Sequence, residues 1–206
     1  VDVCYSDVFL RKIQDKLQDR PLDYLVVDHM EPDHAGSIRL LRQFYPQVQI
    51  IGNKRTFDML DGYFGIKTGL VEVKEGDVME IGRHKLHFHL APMVHWPEVM
   101  VTYDETDKIL FSADAFGTYG TLDGGVLDTD LNLDHFWDEM KRYYSNIVGK
   151  YGNPVQKALQ KLSGLDIHTI CSTHGPVWTK HIQEVVGIYD KMSRYEGEDG
   201  VVIVYG

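Results

Sequence analysis

The sequence has no apolar run of about 18 or more residues, so no membrane-spanning helix is expected. Its first residues, "VDVCYSDVFLRK", lack a basic region followed by a long apolar core, so no signal peptide is visible. Cysteine is scarce. Cys4 and Cys171 lie far apart, and although one disulfide is arithmetically possible, nothing resembles a disulfide-dense secreted framework. Each cysteine is expected to be a small buried apolar residue, and a reducing cytoplasm is the expected location. Positive charge is also in short supply. The 21 basic side chains face 31 acidic ones, for a formal net charge of -10, and such a surface repels phosphate backbones and argues against nucleic-acid binding. There is no internal repeat and no low-complexity segment. What remains is a chain of 206 residues, 43% apolar and 25% charged, an ordinary globular mix for one large domain or two small ones.

Periodicity divides the chain into three stretches. Apolar spacing predicts a helix over Asp7–Leu17, then a short buried strand in "YLVVD", its pairing parallel because a helix flanks it on each side. "SIRLLRQFY" and "KRTFDMLDGYF" read as helices around the buried strand "VQIIGN". The middle, "LVEVKEGDVMEIGRHKLHFHLAP", is turn-rich and partly alternating, which predicts antiparallel strands with one exposed face. "VMVTYDETDKILFSAD" is a hairpin around an acidic turn. Helices return in "DHFWDEMKRYYSNIVGK", "PVQKALQKL" and around "KHIQEVVGIYDKM", with a buried strand "IHTICS" among them. The order α/β, antiparallel β, α/β implies helices covering both faces of a mixed sheet system. The end, "EGEDGVVIVYG", is a Gly- and Glu-rich linker feeding an apolar strand, Val201 to Tyr205. It reads as the first strand of a following α/β domain, or else as an edge strand of this one. With no initiator methionine, the chain reads as a fragment.

Chemistry concentrates in "VVDHMEPDHAGS", Val26 to Ser37, directly after the first strand. His29, Glu31 and Asp33 fall at i, i+2 and i+4 and share one side of an extended segment. Pro32 is expected to keep that segment extended, and Gly36 to permit a change of path. His34 reaches the same place only if the chain turns there. Burying such groups without partners costs several kcal/mol each. Cations remove that cost by pairing with the carboxylates and accepting the imidazole nitrogens. One loop cannot complete two metal sites, so further ligands are expected at other strand ends. His95 in "APMVHWPEV", Asp114 in "LFSADAFG" and His174 in "ICSTHGPVW" each stand where a strand stops. Singly, each histidine reads as a hydrogen-bonded loop residue and Asp114 as a turn cap. Together they form an ordered set, in which an aspartate between two metals bridges them with its two oxygens. His87 and His89 share a face of an alternating strand with His84 nearby and mimic a metal pair, but the set is complete without them. His135, His168 and His181 read as surface or cap residues.

This order of ligands resembles the metallo-β-lactamase superfamily, whose usual cluster is His-x-His-x-Asp-His followed by a distant His, an Asp and a final His. Here "HMEPDH" puts Glu31 in place of the second His. That substitution, with "DHMEPDHAGS", "APMVHWPEVMVTY", "LFSADAFG" and "STHGPVW", is similar to the flavodiiron proteins over nearly the whole chain. The resemblance implies an αββα sandwich of two mixed sheets flanked by helices, with residues 1–196 as a diiron domain lacking its N-terminal part. Residues 197–206 would be the linker and first strand of an absent flavodoxin-like domain that carries FMN. It implies that His29, Glu31 and His95 bind one iron, Asp33 and His174 the other, and Asp114 both. His34 matches a position that is a ligand in some members and only near the metal in others. Loops near Trp96 and Phe116 shape the pocket, and Tyr144 is the candidate hydrogen-bond donor beside the ligands. The implied activity is reduction of O2 or NO with electrons from FMN, resupplied by a rubredoxin-like or flavin reductase donor, in a head-to-tail homodimer or tetramer. Three carboxylates with three or four imidazoles favour iron over zinc, which prefers nitrogen and sulfur donors. The alternatives are a dinuclear zinc hydrolase of the same superfamily, of thioesterase or phosphodiesterase type, and a non-catalytic remnant of the fold.

Overall fold

The structure is a computed structural model that describes residues 1–197 and 199–201. Helix α1 (Ser6–Leu17) leads into β1 (Tyr24–Val26), the single turn α2 (Pro32–Ala35), α3 (Ile38–Phe44), β2 (Gln49–Gly52), α4 (Lys54–Phe64) and β3 (Leu70–Glu72). Strands β4 (Val78–Ile81), β5 (His84–Leu90), β6 (Met100–Asp104) and β7 (Ile109–Phe111) follow. Helices α5 (Asp134–Ile147) and α6 (Gly152–Leu162), strand β8 (Thr169–Cys171) and helix α7 (Ile182–Ser193) complete the described elements.

The strands form a parallel sheet in the order β1-β2-β3 and a second sheet in the order β4-β5-β6-β7-β8. The second sheet is antiparallel except between β7 and β8. Two-residue periodicity explains how they stack. In β2, Ile50 packs with Ile38 of α3 and Leu60 of α4, whereas Ile51 packs with Phe88 of β5 and Met100 of β6. In β6, Met100 faces the parallel sheet while Val101 and Tyr103 join a cluster with Met140, Val155 and Val185 from α5, α6 and α7. The layers are therefore helix, sheet, sheet, helix, the αββα arrangement implied by the resemblance. Every residue of β6 is buried, as a strand covered on both faces requires.

Three expectations are corrected. Leu70–Glu72 pairs parallel with β2, because it follows a helix crossover; only from Val78 onward are the strands antiparallel. Cys4 is exposed and Cys171 half-buried, both with free thiols, so neither is a fully buried apolar residue. Gly36 has an ordinary helical φ of -55°, and what its position demands is space: a Cβ there would lie 2.8 Å from the Pro32 carbonyl oxygen. The strand expected at Val201–Tyr205 lies, apart from Val201, outside the described residues. Among the described residues no helix is long and apolar enough to cross a membrane.

The loop from β7 to α5 is pinned by a buried aspartate. Asp128 accepts hydrogen bonds from the Thr179 hydroxyl at 2.6 Å, from the Lys180 and His181 amides at 2.9 Å each, and faces His181 Nδ1 at 3.1 Å. It thus fixes, from a distant loop, the turn that leads into α7. Burial opposes its ionisation, but these donors prevail and hold its pKa at about 2. A folded-state pKa below the unfolded value gives stability that is present above about pH 4 and lost as pH falls through 2. Asp128→Asn is expected to cost on the order of 2 kcal/mol at pH 7 and to flatten the pH dependence of Tm between pH 4 and 2. An unchanged Tm at both ends of that window would contradict this role.

Candidate metal centre

The loop after β1 is anchored before it reaches the cluster. The Val27 amide donates to Ile51 O, and the Met100 amide to Asp28 O at 3.0 Å, tying the loop to both sheets. The Asp28 carboxyl accepts from Thr102 Oγ1 at 2.7 Å, and burial pushes its pKa up to about 7. The backbone is extended only as far as Glu31 (φ -57°, ψ 142°). Pro32 then occupies the first helical position, so Asp33 and His34 lie on a helical turn. The expectation that Pro32 keeps the chain extended through Asp33 is corrected; its fixed φ starts the turn, and the turn swings His34 inward.

Two groups of donor atoms result. His29 Nε2, Glu31 Oε2, His95 Nε2 and Asp114 Oδ2 lie close together: His95 is 3.1 Å from Glu31, 3.0 Å from Asp114 and 3.3 Å from His29. His29 is 3.4 Å from Glu31 and 3.6 Å from Asp114. The second group holds Asp33 Oδ2, His34 Nε2, His174 Nε2 and Asp114 Oδ1. His34 is 2.8 Å from Asp114 and 3.5 Å from Asp33, and His174 is 3.2 Å from Asp33 and 3.8 Å from Asp114. Asp114 offers one oxygen to each group and is 1% exposed. The structure therefore brings together His29, Glu31, Asp33, His34, His95, Asp114 and His174.

Protons alone leave this arrangement poorly satisfied. Nε2 of His29 and Nε2 of His95 face each other, Oδ1 of Asp33 is buried with no hydrogen-bond partner, and Nε2 of His34 approaches Asp114 Oδ1 at 2.8 Å without hydrogen-bond geometry. Donors about 2.1 Å from a shared cation stand about 3.0 to 3.4 Å apart in octahedral or tetrahedral arrangement, close to most of the separations here. The residues present thus fit a pair of cations. Burial opposes charge on Asp114, but His34 and His95, with the Thr173 hydroxyl that donates to Oδ1, hold its carboxyl far below the usual carboxylate range. Burial likewise disfavours the His95 imidazolium, yet Asp114 and Glu31 raise its pKa above the ordinary value.

Strand ends and strained turns aim these groups. Ala113, before Asp114, has φ +50°, and Gly175, after His174, has φ +81° with the Thr118 hydroxyl where a Cβ would stand. Trp96 packs edge-on to His29 at 5.4 Å. Phe116 instead turns into the core against Tyr189 and plays no part in lining the ligands. The candidate Tyr144 also packs against Tyr189, at 5.0 Å, in the core. Its neighbour Tyr143 meets His174 at 5.7 Å, and burial with the negative charge of Asp114 raises its pKa strongly. Both tyrosines lie on one buried stripe with Phe136 and Met140, so helical spacing does not separate them.

Sequence reasoning also missed Glu98, Thr173 and Asp28. All three stand in quoted motifs, and the one available signal was an acid directly after Trp96-Pro97 in a loop that already carries His95. The remaining histidines pair separately. His84 meets Asp104 at 2.7 Å and Asp107 at 3.8 Å, where Arg83 already engages Asp107. His87 meets Glu105 at 2.6 Å, and His89 meets Glu75 at 3.3 Å. His135 and His168 are exposed, and His181 stands at the start of α7. A cavity of about 700 Å³ between α6 and α7 touches no candidate ligand, whereas one of about 310 Å³ is lined by Asp28, His29, His34 and Thr173.

Comparison with known proteins places this arrangement among relatives. A family model described as ODP family beta lactamase matches residues 2–175. A nitric oxide reductase of Moorella thermoacetica is 32% identical over 95% of this chain and 49% of its own length. An anaerobic nitric oxide reductase flavorubredoxin of Escherichia coli is 31% identical over 100% of this chain and 43% of its own. Among solved structures, the flavodiiron protein from Giardia intestinalis aligns with a TM-score of 0.88 at 28% identity, over 95% of this chain and 48% of that one. The rubredoxin oxygen:oxidoreductase from Desulfovibrio gigas aligns at 0.89 and 26%, over 94% and 49%. The chain spans about half or less of the length of the curated relatives it matches.

Because Asp114 serves both donor groups, Asp114→Ala is expected to abolish uptake of both ions, counted by metal analysis of protein purified without oxygen. His174→Ala, which touches one group, is expected to retain one ion per chain. Two ions bound by Asp114→Ala would contradict the shared-ligand geometry.

Proposed function

We propose, from the premise that the chain belongs to the family described as ODP family beta lactamase, that it is the diiron domain of an oxidoreductase that reduces O2 or NO with electrons from FMN. The observation that carries this reading is the double donor group sharing Asp114, with Glu31 contributing the third carboxylate. The relatives support it: two are named nitric oxide reductases and one aligned structure is named an oxygen:oxidoreductase. In this reading His29, Glu31 and His95 would hold one iron and Asp33, His34 and His174 the other, with Asp114 shared between the two groups. When bound, two irons would supply the ferrous–ferric redox chemistry that reduction of a diatomic gas requires.

The chain's own residues would set the conditions for that chemistry. The three carboxylates would offset most of the charge of two ferrous ions and favour hard ligation. Trp96 packs against the rings of His29 and His95 and so walls that side of the cluster. Tyr143, kept protonated by burial and by Asp114, is suited to donate a hydrogen bond beside His174.

The relatives' greater length, with the name flavorubredoxin that one of them carries, supports a further, FMN-carrying domain in the same protein. A rubredoxin-like or flavin reductase donor would resupply the flavin. A head-to-tail homodimer or tetramer in the cytoplasm would bring one subunit's flavin to its partner's irons.

Full-length protein loaded with iron and FMN is expected to consume O2 or NO continuously when supplied with a reduced rubredoxin-like donor. The 206-residue chain with the same iron content is expected to lack sustained turnover. Native zinc with hydrolytic turnover and no gas consumption would sink the reading in favour of the hydrolase.

A further inference from the structure

The imidazoles of the cluster are not held alike. Among the described residues, His29 is the one cluster histidine whose far ring nitrogen meets a buried carboxylate. Its Nδ1 donates to Glu98 Oε1 at 2.7 Å, and side-chain exposure is 1% for His29 and 0% for Glu98. The same oxygen accepts the Met30 amide at 3.0 Å. The Glu98 carbonyl accepts from Asn53 Nδ2 at 2.6 Å, at the start of α4. One residue thereby joins three segments: the loop carrying His29 and Glu31, the loop carrying His95, and the cap of a helix behind them.

A carboxylate only accepts hydrogen bonds, so Nδ1 must carry the proton and Nε2 must present its lone pair. That lone pair faces Glu31, His95 and Asp114. The other Glu98 oxygen, Oε2, is buried with no partner. For packing alone this is a poor choice, since an amide or apolar side chain would avoid an unsatisfied buried charge. The negative charge becomes useful one imidazole away from a cation. We propose that Glu98 is a positioning residue of the metal centre: it fixes the tautomer and aim of His29, locks His29 to the loop of His95, and makes their half of the centre the tighter one. This rests on the two-metal reading above.

The test is an anaerobic titration of metal-free full-length protein with ferrous iron against a competing chelator, for wild type, Glu98→Gln and Glu98→Leu. Glu98→Leu is expected to weaken one ion by about 10- to 100-fold and leave the other unchanged, the usual scale for losing such a support. Glu98→Gln keeps Oε1 as an acceptor and is expected to recover part of that loss. Should Glu98→Leu fail to fold, Glu98→Gln is still expected to weaken one ion and not the other, and wild-type affinity for both would overturn the proposal. Proton–nitrogen spectra of metal-free protein provide a readout independent of iron. A slowly exchanging His29 Nδ1 proton is expected in wild type and Glu98→Gln; its absence from wild type overturns the proposal. Wild-type protein that takes up no iron would sink the diiron reading, while the imidazole proton would still decide for or against Glu98.

Discussion

The centre depends on one buried carboxylate that serves two sets of donors. Asp114 lies 3.0 Å from His95 through one oxygen and 2.8 Å from His34 through the other. An aspartate at 1% exposure with four imidazoles around it is costly in an apolar interior unless positive charge accompanies it. Protonated histidines neutralise it in part, yet they leave Asp33 Oδ1 without a partner and the Nε2 atoms of His29 and His95 facing each other at 3.3 Å. Two cations satisfy the set as a whole. Such binding would release protons and stabilise the fold together, because the unfolded chain has no preformed site.

The fold supplies this convergence at the seam of two sheets. His29, Glu31, Asp33 and His34 follow β1 of the parallel sheet, whereas His95, Asp114 and His174 follow β5, β7 and β8 of the other. The parallel pairing of β7 with β8 sets Asp114 and His174 side by side, and the Thr173 amide donates to Ala113 O at 3.0 Å. The Met100 amide bond to Asp28 O joins the first loop to the second sheet. Rigid strands thus carry the clustered donor residues on short loops, with the aromatic side chains of Trp96 and Tyr143 packed against His29 and His174.

Much of this was legible in the sequence, for physical reasons. Helices with a strong 3.6-residue stripe, such as α4 and α6, declare their buried face, and β5 declares its alternation. The gathering of His, Glu and Asp after β1 stands out because such groups are expensive where a chain leaves the core. Less was legible where one local pattern suits two structures. Leu70–Glu72 is too short for its alternation to distinguish parallel from antiparallel pairing. Pro32 suits an extended chain and a first helical turn equally, so the position of His34 depended on the turn. Tyr143 and Tyr144 share a buried stripe, and only the tertiary packing shows which one meets His174. Glu98 was hidden because its partner His29 is 69 residues away, and no local spacing reveals such a contact.

Anomalous diffraction at the iron edge, on crystals of the iron-loaded protein, would locate the ions against Asp114. Two peaks are expected, one on each side of Asp114: the first among His29, Glu31 and His95, the second among Asp33, His34 and His174. A single peak, or iron seated at the separate His84–Asp104–Asp107 cluster with Asp114 free, would contradict the shared-ligand geometry.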